Sequence, residues 1–451
     1  MSSIFTTPQK AFVTIGLIFG ILFLLITPPF QVADEYNHFY RSFQISEGQI
    51  IAEKHQNQVG GFLPKSLVTT TEKVSAGIPF NPEGKQKLEN IFSLFDFPLE
   101  SNNRVFVAFP NTAVYSPVPY LPQVFGITLG RIIGLSPILL MYMGRICNLL
   151  VWLVLGYLAI KVTPICKWTF FLLALTPMSL FQAASLSADA VTNGVAFLLI
   201  ATFLQTALKE VVTKNQIFTI FLLSVLLALS KQAYFPLVGL FLLIPVGKIG
   251  NIKKYLVMFA LLCLASVLAI LTWSFISKGT YTTLVKNVAP AKQIHFILTH
   301  PFDLIGVILR TFLHDGIEYI SQFIGKLGWL DTKLPSLFIL SYLIMLGFVS
   351  LVNHRKDILI SQRQKRILLL TLILNLFLIA SILYISWTPV AKERILGLQG
   401  RYFIPIAPVL FLLLYNHKFQ VKVRSFGMII SLYSVFSASL TAVVLLKRYY
   451  L

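Results

Sequence analysis

Residues 11–41 read AFVTIGLIFGILFLLITPPFQVADEYNHFYR. Ala11 to Pro29 are apolar over about the length a helix needs to cross a bilayer. No small-x-small cleavage site follows, so the segment reads as a retained anchor rather than a signal peptide. Pro28 and Pro29 end it, and Asp34, Glu35, His38 and Arg41 follow at once.

The composition generalises that first run. The chain has 451 residues, of which 56% are hydrophobic and 12% charged, with a mean hydropathy of +0.78. Soluble domains carry about 25% charge, so this is an integral membrane protein. Its net charge of +20 reflects Lys and Arg on loops facing the cytoplasm rather than a nucleic-acid partner. Cys147, Cys166 and Cys263 have no metal or redox spacing.

Apolar runs recur at about 11–29, 137–160, 168–183, 188–208, 216–231, 233–247, 255–277, 335–353, 366–386, 402–416 and 425–446. The expected fold is therefore an all-α polytopic membrane protein with about 11 transmembrane helices, 13 at most. Residues 119–134 and 302–325 mix charge with apolar faces and read as helices lying at the interface. With the N-terminus in the cytoplasm, the inner loops are 161–167, 209–215, 248–254, 354–366 and 417–424. They hold 2, 2, 3, 5 and 3 Lys or Arg, which agrees with that orientation. It puts the C-terminus outside.

One integral domain, residues 1–451, then carries three external regions: 30–118, 278–334 and 387–401. The first is the most acidic. It holds nine of the chain's 17 Asp and Glu, and its Pro, Gly and Asn predict short juxtamembrane helices joined by turns.

Four constellations could carry chemistry. On a helix, Asp34, Glu35, His38 and Arg41 share a face. A carboxylate there could act as general base, and His38 with Arg41 could bind an anion. The alternative is that Asp34 merely caps the helix. Asp189, in Ser185-Leu186-Ser187-Ala188-Asp189, is an acid inside an apolar stretch, which marks function or a helix cap. Lys231 is a lone external cation, suited to a lipid phosphate or to snorkelling at the interface. Gln399-Gly400-Arg401-Tyr402 presents a guanidinium fork suited to phosphate, with Gly397 and Gly400 allowing close approach to a ligand. No nucleotide-binding loop and no GxSxG motif is present.

These blocks, taken together and in order, resemble a family of bacterial multispan proteins, domain of unknown function 2142. The resemblance rests on PPFQ-x-x-DE-x-x-H-x-x-R at Pro28–Arg41, Tyr120-Leu121-Pro122, Ser-x-Ser-x-Asp at Ser185–Asp189, Lys231 with Tyr234 and Pro236, Gly328-Trp329, and Gln399-Gly400-Arg401-Tyr402. Ala33 departs from it where a proline often stands. That family is similar in turn to the C-type membrane glycosyltransferases, which use polyprenyl-phosphate sugars on the outer face.

The similarity implies a glycosyltransferase C-like fold and an inverting transfer to a cell-envelope polymer or glycolipid in the cytoplasmic membrane. It makes Asp34 and Glu35 the catalytic pair. His38, Arg41, Asp189, Lys231, Gln399, Arg401 and Tyr402 become the substrate-binding set. The similarity settles no cofactor and leaves a divalent Mg or Mn ion open at Asp34 and Glu35. The rival expectations are a lipid-linked glycan transporter or flippase and a non-catalytic envelope assembly protein.

Overall fold

The computed structural model describes residues 4–352, 358–416, 419 and 425–451. Parts of the basic loops 354–366 and 417–424 lie outside the described residues. Helix dominates, as the hydropathy predicts. Among the described residues six helices are long and apolar enough to cross a membrane. They are α1 (Pro8–Ile26), α5 (Pro137–Val162), α6 (Asp189–Leu208), α8 (Ile252–Ile276), α12 (Gln362–Ser386) and α13 (Phe426–Tyr449). Between them lie α2 (Glu35–Ser46), α3 (Lys65–Ser75), α4 (Leu121–Ile132), α7 (Lys214–Ser230), α9 (Pro290–Thr299), α10 (Pro301–Ile324) and α11 (Ser336–Leu351).

Helix α6 is the axis of the bundle. Its apolar window is 89% buried, against 11% for the peripheral α8, so α6 is apolar all round because protein surrounds it. It packs on α5 and α7, α5 packs on α1, and α1 on α13. Gly16, Gly20 and Gly156 let α1 and α5 close together: a Cβ on Gly20 would stand 2.6 Å from Leu149, and one on Gly156 2.5 Å from Phe12.

Three of the remaining apolar runs form shorter pieces than expected, each for a local reason. Run 168–183 breaks into Lys167–Ala174 and Pro177–Ala183, because Thr176 caps a new helix at Pro177. Run 233–247 is a 3-10 helix, Gln232–Leu243, with Pro236 inside it. Proline removes one donor from the ladder, and twelve residues of 3-10 helix are far beyond the usual three or four. Run 402–416 becomes the 3-10 turn Gly400–Phe403 followed by Ala407–Leu413. Helices α9 and α10 together are long and apolar enough for a span but bend by 108° at His300–Pro301.

Residues 30–118 hold more than helices and turns. Strands β1 (Glu53–His55), β2 (Gln58–Pro64) and β3 (Arg104–Ala108) form an antiparallel sheet in that order, with Gly60 opposite Ala108 and Phe62 opposite Phe106. Gly60 is obligatory there, since a Cβ would lie 1.8 Å from the Val107 carbonyl oxygen.

Contacts sort the loops into two ends. Lys167, Lys248 and Lys365 donate to carbonyls that close neighbouring helices, among them Ile160, Ala207 and Leu413. At the opposite end the three regions 30–118, 278–334 and 387–401 meet each other. Trp329 Nε1 donates to the Phe30 carbonyl (3.3 Å), Arg310 to the Glu393 carbonyl (3.3 Å), and the Ala391 amide to Gln293 Oε1 (3.0 Å). The C-terminal end of α13 joins them, with Tyr449 Oη donating to the Gln31 carbonyl at 3.3 Å.

Candidate active site

The link between α1 and α2 is wound around one carboxylate, that of Glu35. Its Oε2 accepts from the Phe30 amide (2.9 Å) and its Oε1 from the Leu186 amide (3.1 Å). Arg145 of α5 closes the ring with Nε to Oε1 at 2.8 Å and Nη2 to Oε2 at 2.6 Å. The same guanidinium donates to the carbonyls of Leu24, Thr27 and Pro28. Both side chains are fully buried. Glu35 is thus a fastener between three chain segments.

Glu35, expected to assist Asp34 in catalysis or to share a metal with it, is engaged by Arg145 and two backbone amides. Its four short contacts hold it inside the protein, and it does not line the cavity described below. Arg145 was legible as a lone charge in an apolar run, the signal that marks an intramembrane partner.

Winding the chain so tightly forces Phe30 and Asp34 into left-handed backbone, each with φ of 64°. Such a conformation costs about 1–3 kcal/mol and clusters at functional sites. Asp34 stands at the N-cap position of α2, yet its side chain makes no cap hydrogen bond. It turns instead to Asn111 Nδ2, which donates to Oδ1 at 2.9 Å, while Arg401 Nη2 faces Oδ2 at 3.5 Å. The capping explanation for Asp34 therefore does not describe its side chain.

Asp34 looks into a cavity of about 690 Å³. His38, Asp189, Lys231, Gln399, Arg401 and Tyr402 line the same cavity. Residues drawn from positions 34 to 402 thus converge at the end of the bundle where regions 30–118, 278–334 and 387–401 meet. Asp189 accepts from Lys231 Nζ at 3.0 Å and from Gln182 Nε2 at 2.8 Å. Lys231 sits in extended backbone between α7 and the 3-10 helix, with Nζ 4.4 Å from the centre of the Tyr402 ring.

Arg401 is a buried cation set against the Tyr402 side chain, with long contacts to carboxylates. Its side chain is 7% exposed, its carboxylate contacts are 3.5 Å to Asp34 and 3.9 Å to Asp189, and Nε has no hydrogen-bond partner among the described residues. Asn111 Oδ1 and Gln399 Oε1 are likewise buried without partners there, and both residues line the cavity. Native structures leave few such atoms.

The remaining members divide. His38 Nδ1 is bonded to Tyr120 Oη at 2.9 Å, and burial pushes its pKa down to about 4, against the pull of Asp34 and Asp189. It is a neutral imidazole at pH 7, not the anion-binding cation that the sequence suggested. Arg41 does not line the cavity. It donates to Gln44 Oε1 (2.6 Å) and to the carbonyls of Ile50 (2.8 Å) and Tyr115 (3.1 Å), which ties α2 to two loops. Burial lowers its pKa to about 10. These contacts give Arg41, expected to bind substrate, a structural role in the fold.

The glycines also pack closely against protein. A Cβ on Gly400 would stand 1.9 Å from the Tyr319 carbonyl oxygen, and one on Gly397 would strike Trp387. They allow close approach to α10 and to an indole, and Gly397 also lines the cavity. Sequence reasoning missed Asn111, Trp273 and Trp387, which also line the cavity and whose signal was only that of aromatic and amide residues in loops or at helix ends. Among the described residues no three His, Cys, Asp or Glu side chains converge as metal ligands. Asp34 and Asp189 are the carboxylates lining the cavity, and each already faces a cation.

One wall of the cavity is apolar. Ile270 and Trp273 of α8 face Ile379, Ile382 and Leu383 of α12 across it. No curated protein and no solved structure matches the chain. Residues 17–410, a span that takes in every cavity-lining position, match the model of the family described as "Predicted membrane protein (DUF2142)", and the chain belongs to that family.

Proposed function

We propose that this protein is a glycosyltransferase of the cytoplasmic membrane. It moves a sugar from a polyprenyl-phosphate carrier to an envelope polymer or glycolipid on the outer face. The observation that carries the reading is Arg401, a buried guanidinium with long carboxylate contacts and an unbonded Nε, beside Lys231 and Asp34. A phosphate can replace those loose contacts with short, charge-assisted ones. The wall between α8 and α12 suits the carrier's isoprenoid tail.

The chemistry needs one base. Asp34 takes the proton from an acceptor hydroxyl as its oxygen attacks the anomeric carbon. The bond from that carbon to the phosphate oxygen breaks, and the electron pair leaves with the phosphate. Lys231 and Arg401 stabilise the charge that develops there. Phosphate leaves without protonation, so the separated acid–base pair of glycoside hydrolases is unnecessary. Direct displacement inverts the anomeric centre.

The same reading gives the topology. The apolar segments alternate between the lysine-capped end and the Asp34 end, so the broken and short pieces complete about eleven crossings with the N-terminus in the cytoplasm. The ionisable cluster gathers at one end, unlike the mid-membrane path of a transporter.

Envelope glycans compared by mass spectrometry in a deletion strain test this. Wild-type protein should restore one sugar substituent, and Asp34→Asn at matched expression should not, since loss of a general base costs roughly 100- to 10,000-fold in rate. Full restoration by Asp34→Asn would overturn the reading.

A further inference from the structure

Phe80 is a large aromatic at 69% exposure, and it lines the rim of the cavity. Its backbone is left-handed, with φ of 58°, and so is that of Leu330, with φ of 65°. Phe30 and Asp34 share that conformation, so four strained residues surround one corner of the site. A bulky residue in this region is unusual, and an exposed ring contributes little to folding. The strain therefore points to a task for the ring.

Trp329 stands beside it, with ring centres 5.0 Å apart. Its other neighbour is Tyr36, stacked at 5.5 Å and 27°, and its indole N–H is fixed on the Phe30 carbonyl. The two arms that carry Phe80 and Trp329 are far apart in sequence but share one clamp, Arg448. This residue donates to the carbonyls of Ile78 (3.1 Å) and Gly84 (3.0 Å) on one arm and to Asp331 Oδ2 (2.8 Å) on the other. The Gln86 amide, donating to the Tyr449 carbonyl at 2.7 Å, adds a second tie.

The rim thus offers flat apolar faces next to hydrogen-bonding groups. Asp34 and the unpartnered Asn111 Oδ1 line the same cavity. A pyranose ring has this composition, with a C–H face and a girdle of hydroxyls, and an isoprenoid does not. We propose that Phe80 and Trp329 form a carbohydrate-stacking subsite that receives the acceptor as a pyranoside and points one hydroxyl at Asp34. The acceptor role rests on the transferase reading above. Arg448 is a positioning residue that keeps the two rings at a fixed spacing.

Saturation-transfer NMR on the full-length protein in nanodiscs tests the subsite without turnover. The probes are the methyl α- and β-glycosides of glucose, galactose, mannose, rhamnose and N-acetylglucosamine. The expected result is transfer to ring C–H protons of at least one glycoside in the wild-type protein. Binding should weaken at least ~3-fold in Phe80→Ala and return in Phe80→Tyr. Because Phe80 is exposed, Phe80→Ala keeps the fold, and an unchanged melting temperature verifies this.

Equal signal in Phe80→Ala, or no signal from any glycoside, overturns the subsite. If the glycan assay still fails with Asp34→Asn, the transferase survives that loss. A Phe80-dependent signal beside full glycan restoration by Asp34→Asn overturns the acceptor role.

Discussion

Glu35 and Arg145, 110 positions apart, form an ion pair with contacts of 2.8 and 2.6 Å and no solvent exposure on either side chain. Around it are fixed the end of α1, the start of α2 and the loop that leads to Asp189. The pair therefore sets where both cavity acids stand, without itself reaching the cavity.

Removing one member leaves a buried charge alone, which costs roughly 3–5 kcal/mol, whereas replacing both with apolar groups of similar size is much milder. Glu35→Gln should lower the melting temperature in detergent sharply and reduce the folded yield. Glu35→Leu combined with Arg145→Met should recover much of that loss. A Glu35→Gln protein that melts like wild type but has lost glycan transfer would show that the carboxylate acts in the chemistry after all.

Asp34 separates backbone from side chain. Its left-handed conformation suits Asp and Asn better than other non-glycine residues. Asp34→Asn should keep stability within about 0.5 kcal/mol while abolishing transfer, whereas Asp34→Ala should also destabilise by about 1 kcal/mol. Thermal unfolding of the three proteins, run beside the glycan assay, distinguishes the two effects. Equal stability of Ala and Asn variants would mean that the strain is not carried by this residue.

The residues that converge on the cavity were visible in the sequence because they are polar residues in or beside apolar runs. Asp34, Asp189, Lys231 and Arg401 each break a pattern, and a broken pattern is local information. The side on which a side chain points is not local. Glu35 and Asp34 are adjacent, yet one turns into the bundle toward Arg145 and the other into the cavity. That choice depends on a helix a hundred residues away. The long apolar helices were legible for the same reason as the acids. Strands β1, β2 and β3 were not, because β2 carries the Gly60-Gly61 pair, which reads as a turn until the close approach of Val107 is known.

His38 predicts an acid limit to stability. Its folded pKa of about 4 lies below the ordinary 6.5 because burial disfavours the cation. The unfolded chain then binds the proton first as pH falls, and stability is lost progressively from about pH 6.5 down to about pH 4. A shift of this size is worth about 3 kcal/mol. The nanodisc protein should melt at a lower temperature at pH 4.5 than at pH 7.5, and His38→Gln should flatten the difference. An unchanged slope in His38→Gln would assign the acid sensitivity elsewhere.

Gly400 predicts the effect of one methyl group on the seat of Arg401. Its amide donates to Gln322 Oε1 at 2.8 Å, and a Cβ would meet the Tyr319 carbonyl oxygen at 1.9 Å and the Phe323 nitrogen at 2.7 Å. Both belong to the backbone of α10, so no side chain can swing aside. The 3-10 turn must move, and Arg401 and Tyr402 move with it. Gly400→Ala should therefore destabilise by roughly 1–3 kcal/mol and impair transfer as severely as Arg401→Ala. On the same helix a Cβ at Gly316 would meet nothing within 4 Å, so Gly316→Ala should be neutral or stabilising by about 0.5–1 kcal/mol. Melting curves and glycan analysis of the two variants decide the matter. If Gly400→Ala leaves transfer intact, the seat of Arg401 against α10 does not govern its reach into the cavity.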